Sequence, residues 1–256
     1  MTESCVLNYS TAPKGPQKVA QVGPQHCPEF LIEGQTRRCA ALIDRREHVL
    51  VGISPFNSRF SEEYVIALLN WARRNFLQVD VLLPDPSSAS LLLIGSGDAE
   101  GKALRKARKE VSRHRRFVAR AAGIVEKRGG IRIVEFADCA CFDSYLSIRA
   151  SVERAYEECE MFRSACLHMS SMAIQGRLRG VENRASTFEG ATRVDAAVRY
   201  IAMELPFYLN TPEILNVGSS VLAYHRQWPI WETLANGGSP LSIDPRQAHG
   251  IVSLVQ

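Results

Sequence analysis

His48-Val49-Leu50-Val51-Gly52-Ile53-Ser54-Pro55-Phe56-Asn57-Ser58-Arg59-Phe60-Ser61 changes character twice. Its first six residues form an apolar run too short for a helix, and it stops at Ser54-Pro55, where the missing proline N–H ends strand pairing. That is a buried strand meeting a loop. From Ser61 the period changes. Val65, Leu68, Leu69, Ala72 and Phe76 fall at i, i+3, i+4, i+7 and i+11, with Ser61 as cap and Glu62 and Glu63 in the first turn, so an amphipathic helix follows. Val79–Leu83 is a second apolar strand, and strand, helix and strand within about 35 residues make a crossover unit of a parallel sheet.

Further strands are expected at Ile131–Phe136, Ser219–Ala223 and Ile251–Val255, and long helices at Ser144–Gln175 and Phe188–Leu205, the second ending at Pro206. Residues 1–30 are polar, carry Pro13, Pro16, Pro24 and Pro28, and read as a flexible arm. The rest, 31–256, reads as a single α/β domain with a central, mostly parallel sheet flanked by helices. In such sheets ligands bind beyond the carboxyl ends of the strands, which places attention on Ser54.

The 46% hydrophobic and 23% charged residues exclude disordered and fibrous classes. The most apolar run, Leu82–Ile94, is broken by Pro84, Asp85 and Pro86, so no membrane span is expected, and the N-terminus lacks a signal pattern. Seven scattered cysteines do not make a disulfide framework, and they point to reduced thiols in the cytoplasm. Cys139 and Cys141 have no second pair at zinc-ligand spacing, so no metal site is expected.

Charge is concentrated in one stretch. Lys102, Arg105, Lys106, Arg108, Lys109, Arg113, Arg115, Arg116 and Arg120 stand against a single acid, Glu110, a local charge of +8 in a chain whose net charge is +4. Leu104, Ala107, Val111 and Val118 give only a thin apolar stripe at helical spacing, so cations cover most of this helix. With one acid to relieve the repulsion, the natural counterion is nucleic-acid phosphate.

Three motifs bear on chemistry. Gly52-Ile53-Ser54-Pro55-Phe56 resembles the nucleophile elbow G-x-S-x-G except that Phe56 replaces the second glycine, which counts against an esterase or other serine hydrolase. Gly95-Ser96-Gly97-Asp98-Ala99-Glu100-Gly101 is a loosened dinucleotide fingerprint, but it leads into the polybasic helix, which lacks the apolar face such a helix presses on its sheet. Tyr200 and Glu204 lie four residues apart on one helix face, where they can hold a substrate ammonium or simply border an amphipathic helix.

Gly52 to Ser61, the basic helix, Tyr200-x-x-x-Glu204-Leu205-Pro206-Phe207 and Ser219-Ser220-Val221-Leu222-Ala223-Tyr224-His225, taken in order, resemble the cyclodipeptide synthase family. The resemblance implies a monomeric Rossmann-like domain similar to the catalytic core of class I tyrosyl- and tryptophanyl-tRNA synthetases. It also implies two aminoacyl-tRNAs as substrates and no cofactor or metal. By that resemblance Ser54 accepts the first aminoacyl group, Tyr200 and Glu204 hold its α-amino group, and Tyr224 relays protons during ring closure. Asn57, Tyr145 and His225 match neighbouring substrate positions. The sequence shows no base for Ser54, so substrate-assisted deprotonation is expected, with backbone N–H groups after Ser54 stabilising the oxyanion.

The resemblance further implies that the first side chain enters a pocket lined by Leu50, Gly52, Leu82, Phe136, Phe207 and Leu222. All but the glycine are apolar, which excludes a charged residue. The two phenylalanine rings are expected to reduce the volume, which points to a small first residue, alanine. Arg226 and Trp228 near Tyr224 would permit an acidic or polar second residue. Two rival readings stand beside this one: a serine esterase, and a non-catalytic tRNA-binding module on the same fold.

Overall fold

The computed structural model describes residues 29–124, 130–178 and 187–255. The expected arm therefore lies outside the described residues except at its end, where Phe30 already opens β1 (Phe30–Gly34). A short α1 (Arg37–Asp44), capped by the Thr36 hydroxyl, leads to β2 (His48–Gly52), all five residues of which are buried. That burial on both faces is why its sequence is an unbroken apolar run. α2 (Glu62–Asn75) starts on the Ser61 cap and buries Val65, Leu68, Leu69 and Ala72, as its periodicity requires, and β3 (Gln78–Leu83) follows.

α3 (Pro86–Gly95) is the element that precedes the glycine-rich stretch. Asp85 caps Ser87 and Ser88 and Pro86 takes the first turn, so the segment is a helix, apolar because it packs between neighbouring helices. Gly95–Gly101 thus follows a helix rather than a strand, and the dinucleotide reading loses its context. α4 (Glu100–Ile124) is the basic helix; it buries a narrow stripe of Ala103, Ala107, Val111, His114, Val118 and Ala121 against α2 and α3.

β4 (Arg132–Glu135) runs directly into α5 (Phe136–Cys139), so Phe136 begins a helix instead of ending a strand. The expected long helix is two, α6 (Asp143–Glu158) and α7 (Glu160–Leu178), separated at Cys159. α8 (Thr187–Leu215) continues through Pro206 and breaks at Asn210 (φ −157°, ψ 61°). There the Asn210 side chain caps the Glu213 N–H and Pro212 sits in the first turn of the resumed helix. β5 (Ser220–Tyr224), α9 (Ile230–Ala235) and β6 (Gln247–Leu254) complete the chain.

The six strands are ordered β1-β6-β5-β2-β3-β4, with β1 antiparallel to β6 and every other pair parallel. Successive strands run outward from β2 to β4 on one side, while β5 and β6 build the other. The order therefore reverses between β2 and β5, and the segments after these two strands flank the switch-point crevice. At the opposite ends of the strands a buried network joins four of them. His48 Nδ1 lies 2.8 Å from Ser220 Oγ, His48 Nε2 lies 3.1 Å from Asp80 Oδ2, and Arg132 donates to both Asp80 oxygens. Burial works against the Asp80 carboxylate, but its bonds to His48 and Arg132 hold its pKa below the ordinary value.

Candidate active site

Ser54 stands two residues beyond the end of β2, half-buried, on a cavity of about 250 Å³. Residues 54–58 form one wall, Tyr200, Ile201 and Glu204 of α8 another, and His225, Arg226 and Trp228 beyond β5 a third. The cavity therefore sits at the β2/β5 switch point. Among the described residues the Ser54 hydroxyl has no hydrogen-bond partner.

The turn after Ser54 has a distinct backbone. Pro55 supplies no N–H, Phe56 adopts φ 61°, and its N–H donates to Glu110 Oε1 at 3.1 Å. The expected use of the backbone donors that follow Ser54 must therefore skip two residues. Asn57 and Ser58 are the first positions on that side whose N–H groups have no acceptor among the described residues.

Tyr200 and Glu204 do share one face of α8, and both reach the cavity. Glu204 is only 8% exposed; burial pushes its pKa up to about 7, partly offset by a 2.5 Å bond from the Tyr224 hydroxyl. Tyr224 is held protonated far above the ordinary range, first by burial and then by Glu204. Its ring lies over Gly52, where a Cβ would stand 2.3 Å from Cε1, so that glycine leaves room for the tyrosine. Tyr208, one turn past Glu204, stacks on Tyr224 at 6.1 Å and was not singled out in the sequence, although its spacing from Glu204 is the same signal that marked Tyr200.

Asn57 Nδ2 donates to His225 Nε2 at 3.2 Å, so the two residues meet at the cavity rim. Burial lowers the His225 pKa to about 4, which leaves the ring neutral near pH 7. Tyr145 lies away from the cavity wall: its buried hydroxyl donates to the Met203 carbonyl at 2.9 Å, and burial raises its pKa to about 12.

Leu50, Gly52, Leu82, Phe136, Phe207 and Leu222 are all buried, and none of the six lines this cavity. Phe136 and Phe207 stack at 6.0 Å, with Tyr200 and Tyr145 packed against them at 5.6 and 5.5 Å. Their rings fill the core below the site.

All nine basic residues of α4 are exposed. The expectation that one acid relieves them is corrected by the fold, which supplies others. Asp98 pairs with Lys102 and Lys106, Glu110 with Arg113, Glu135 with Arg115, and Glu62 with Arg120. Among the described residues Arg105, Arg108, Lys109 and Arg116 have no acidic partner. No group of residues suited to a metal occurs among the described residues, and none of their helices is long and apolar enough to cross a membrane.

Comparison with known proteins identifies the family. The family model described as Cyclodipeptide synthase matches residues 30–254. Over 232 residues the chain is 42% identical to the cyclo(L-leucyl-L-leucyl) synthase of Photorhabdus laumondii, covering 90% of this chain and 98% of that protein. It is 43% identical over 224 residues to the protein of the same name from Bacillus subtilis, covering 87% of this chain and 89% of that one. The crystal structure of a cyclodipeptide synthase from Bacillus thermoamylovorans superposes with a TM-score of 0.81 at 33% identity, covering 89% of this chain and 97% of that one. With its switch-point serine, its buried Glu204–Tyr224 pair and this span of similarity, the chain belongs to the cyclodipeptide synthase family.

Proposed function

We propose that the chain condenses two aminoacyl groups, each delivered on a tRNA, into a diketopiperazine, with Ser54 as covalent acceptor and leucine as the first residue. The observation that carries this is the convergence of Ser54 and the buried Glu204 on one cavity at the switch point.

The Ser54 oxygen attacks the ester carbonyl of the first aminoacyl-tRNA, the bond to the ribose oxygen breaks, and that oxygen takes the serine proton. The α-amine of a second aminoacyl-tRNA then attacks the acyl-enzyme, regenerating the Ser54 hydroxyl and leaving a dipeptidyl-tRNA. Its free amine closes the ring on its own ester and releases the tRNA. Each attacking amine must first lose a proton, and a carboxyl whose pKa is about 7 is suited to receive it near neutral pH. Tyr224 donates to that carboxylate and stabilises it once ionised. Tyr200, on the same helix face, orients the amino group. The exposed cations of α4 hold the tRNA backbone. The enzyme works as a monomer in the cytoplasm.

Leucine replaces the earlier expectation of alanine. Relatives at 42% and 43% identity are named for leucyl-leucyl products. The packing supports the same reading: Phe136 and Phe207 stack on each other in the core, while Leu92, Ile201 and Met172 give the cavity apolar walls. Expression in bacteria followed by mass spectrometry of the medium tests the reading. Cyclo(leucyl-leucyl) is expected as the main product, and an alanine-containing one would restore the smaller pocket.

A further inference from the structure

Residues 54–60 rest on α4 at several points. The Phe56 ring packs on Ala89, Ala107 and Val111, and the buried Phe60 ring meets His114 edge-on at 6.4 Å. One polar contact is Glu110, the single acid in the basic stretch; another is a hydrogen bond between His114 and the Phe60 backbone. One of its oxygens accepts from the Phe56 N–H at 3.1 Å and from Arg113 at 2.7 Å, and lies 3.7 Å from His114 Nε2. Its side chain is 12% exposed, whereas that of Arg113 is 44% exposed. This acid is turned toward the loop, not toward solvent.

The bond falls where the backbone most needs support. Phe56 has φ 61°, a conformation that a residue with a Cβ adopts at a cost of about 1–2 kcal/mol. A loop released from that contact relaxes toward an extended backbone, and Ser54 is only two residues away. Because Pro55 has no N–H, the Phe56 amide is also the first backbone donor after the serine, and Glu110 removes it from the site.

We infer that Glu110 is a positioning residue: through the Phe56 amide it fixes the turn that aims Ser54, so the helix carrying the tRNA-facing cations also sets the geometry of the acyl acceptor. The inference rests on Ser54 being that acceptor. It makes α4 part of the catalytic apparatus as well as a docking surface, and it gives the lone acid in a cationic helix a purpose that charge balance alone does not.

The test is single-turnover acylation by leucyl-tRNA, followed by intact-protein mass spectrometry and paired with tRNA binding measured separately. Glu110→Ala is expected to slow acylation at saturating leucyl-tRNA by about tenfold or more, as for a lost hydrogen bond to a charged acceptor, with tRNA affinity unchanged or tighter. Glu110→Gln keeps an acceptor oxygen and should stay within about threefold of the parent. In a Phe56→Gly background, where the left-handed backbone carries no penalty, the effect of Glu110→Ala should shrink to about threefold or less. If Glu110→Ala does not fold, Glu110→Met, which keeps the stem without an acceptor, takes its place. Acylation at the parental rate in the acceptor-less variant overturns the inference, as does a loss confined to tRNA affinity or an undiminished penalty in the Phe56→Gly background. Ser54→Ala separates the two claims: if it is still acylated, the reading of Ser54 fails; if it is not acylated while Glu110→Ala is normal, only the role of Glu110 fails.

Discussion

Glu204 is a carboxyl that burial keeps protonated, so its contribution to stability depends on pH. Its pKa rises from 4.5 to about 7 on folding, so between these values the folded chain binds a proton that the unfolded chain has lost. Stability therefore falls as pH rises through that window, by about 3 kcal/mol in all for this one group. Glu204→Gln keeps the shape without the charge. It should match the parent in thermal unfolding near pH 4.5 and exceed it near pH 8, while losing product formation; a melting temperature that also matches the parent near pH 8 would show that folding does not raise the Glu204 pKa. The placement of this residue was legible in part, since the i, i+4 spacing from Tyr200 put both on one face. Its partner Tyr224 is 20 residues away in sequence, so no local pattern reveals the bond between them. Glu110 was hidden for the same reason, its contact with Phe56 spanning 54 residues.

The elements divide between those whose burial pattern is written locally and those set by neighbours. β2 and α2 were readable because one is buried on every face and the other on a single stripe. β1 was not, since it alternates at the sheet edge beside a proline-rich segment, and neither was α3, because a helix enclosed by other helices is as apolar as a strand. α4 also looked more lopsided than it is, because Asp98 just before it, and Glu62 and Glu135 from other parts of the fold, pair with its cations. That pairing sharpens a prediction. Replacing Arg105, Arg108, Lys109 and Arg116 by alanine should weaken tRNA binding and flatten its dependence on salt by about 0.7–0.9 in log–log slope per lost phosphate contact. Thermal unfolding should barely move, because exposed cations without ion-pair partners contribute little to stability. Unchanged tRNA affinity in this variant would assign the helix to another role.

At the scale of the molecule, the sheet separates stability from chemistry along its strands. The amino ends of β5, β2, β3 and β4 are tied by Ser220, His48, Asp80 and Arg132, while the carboxyl ends open on the cavity. A Ser-His-Asp set thus exists in this chain, but Ser220 is 1% exposed and out of reach of substrate, so it crosslinks strands and does not make the chain a hydrolase. His48→Ala leaves Ser220 and Asp80 each short of a partner and should cost about 2–4 kcal/mol in urea unfolding, with acylation retained at low temperature; lost acylation in a folded variant would mean that the two ends are coupled. The central claim concerns the other end, where Ser54 takes an aminoacyl group from tRNA. The most direct measurement is intact-protein mass spectrometry of the parent and Ser54→Ala after brief exposure to leucyl-tRNA. The account predicts that the parent gains the mass of one leucyl group, mapped to the peptide containing Ser54, and that the variant gains none. An equal gain in the variant, or a parent that makes diketopiperazine without ever carrying the group, would contradict it.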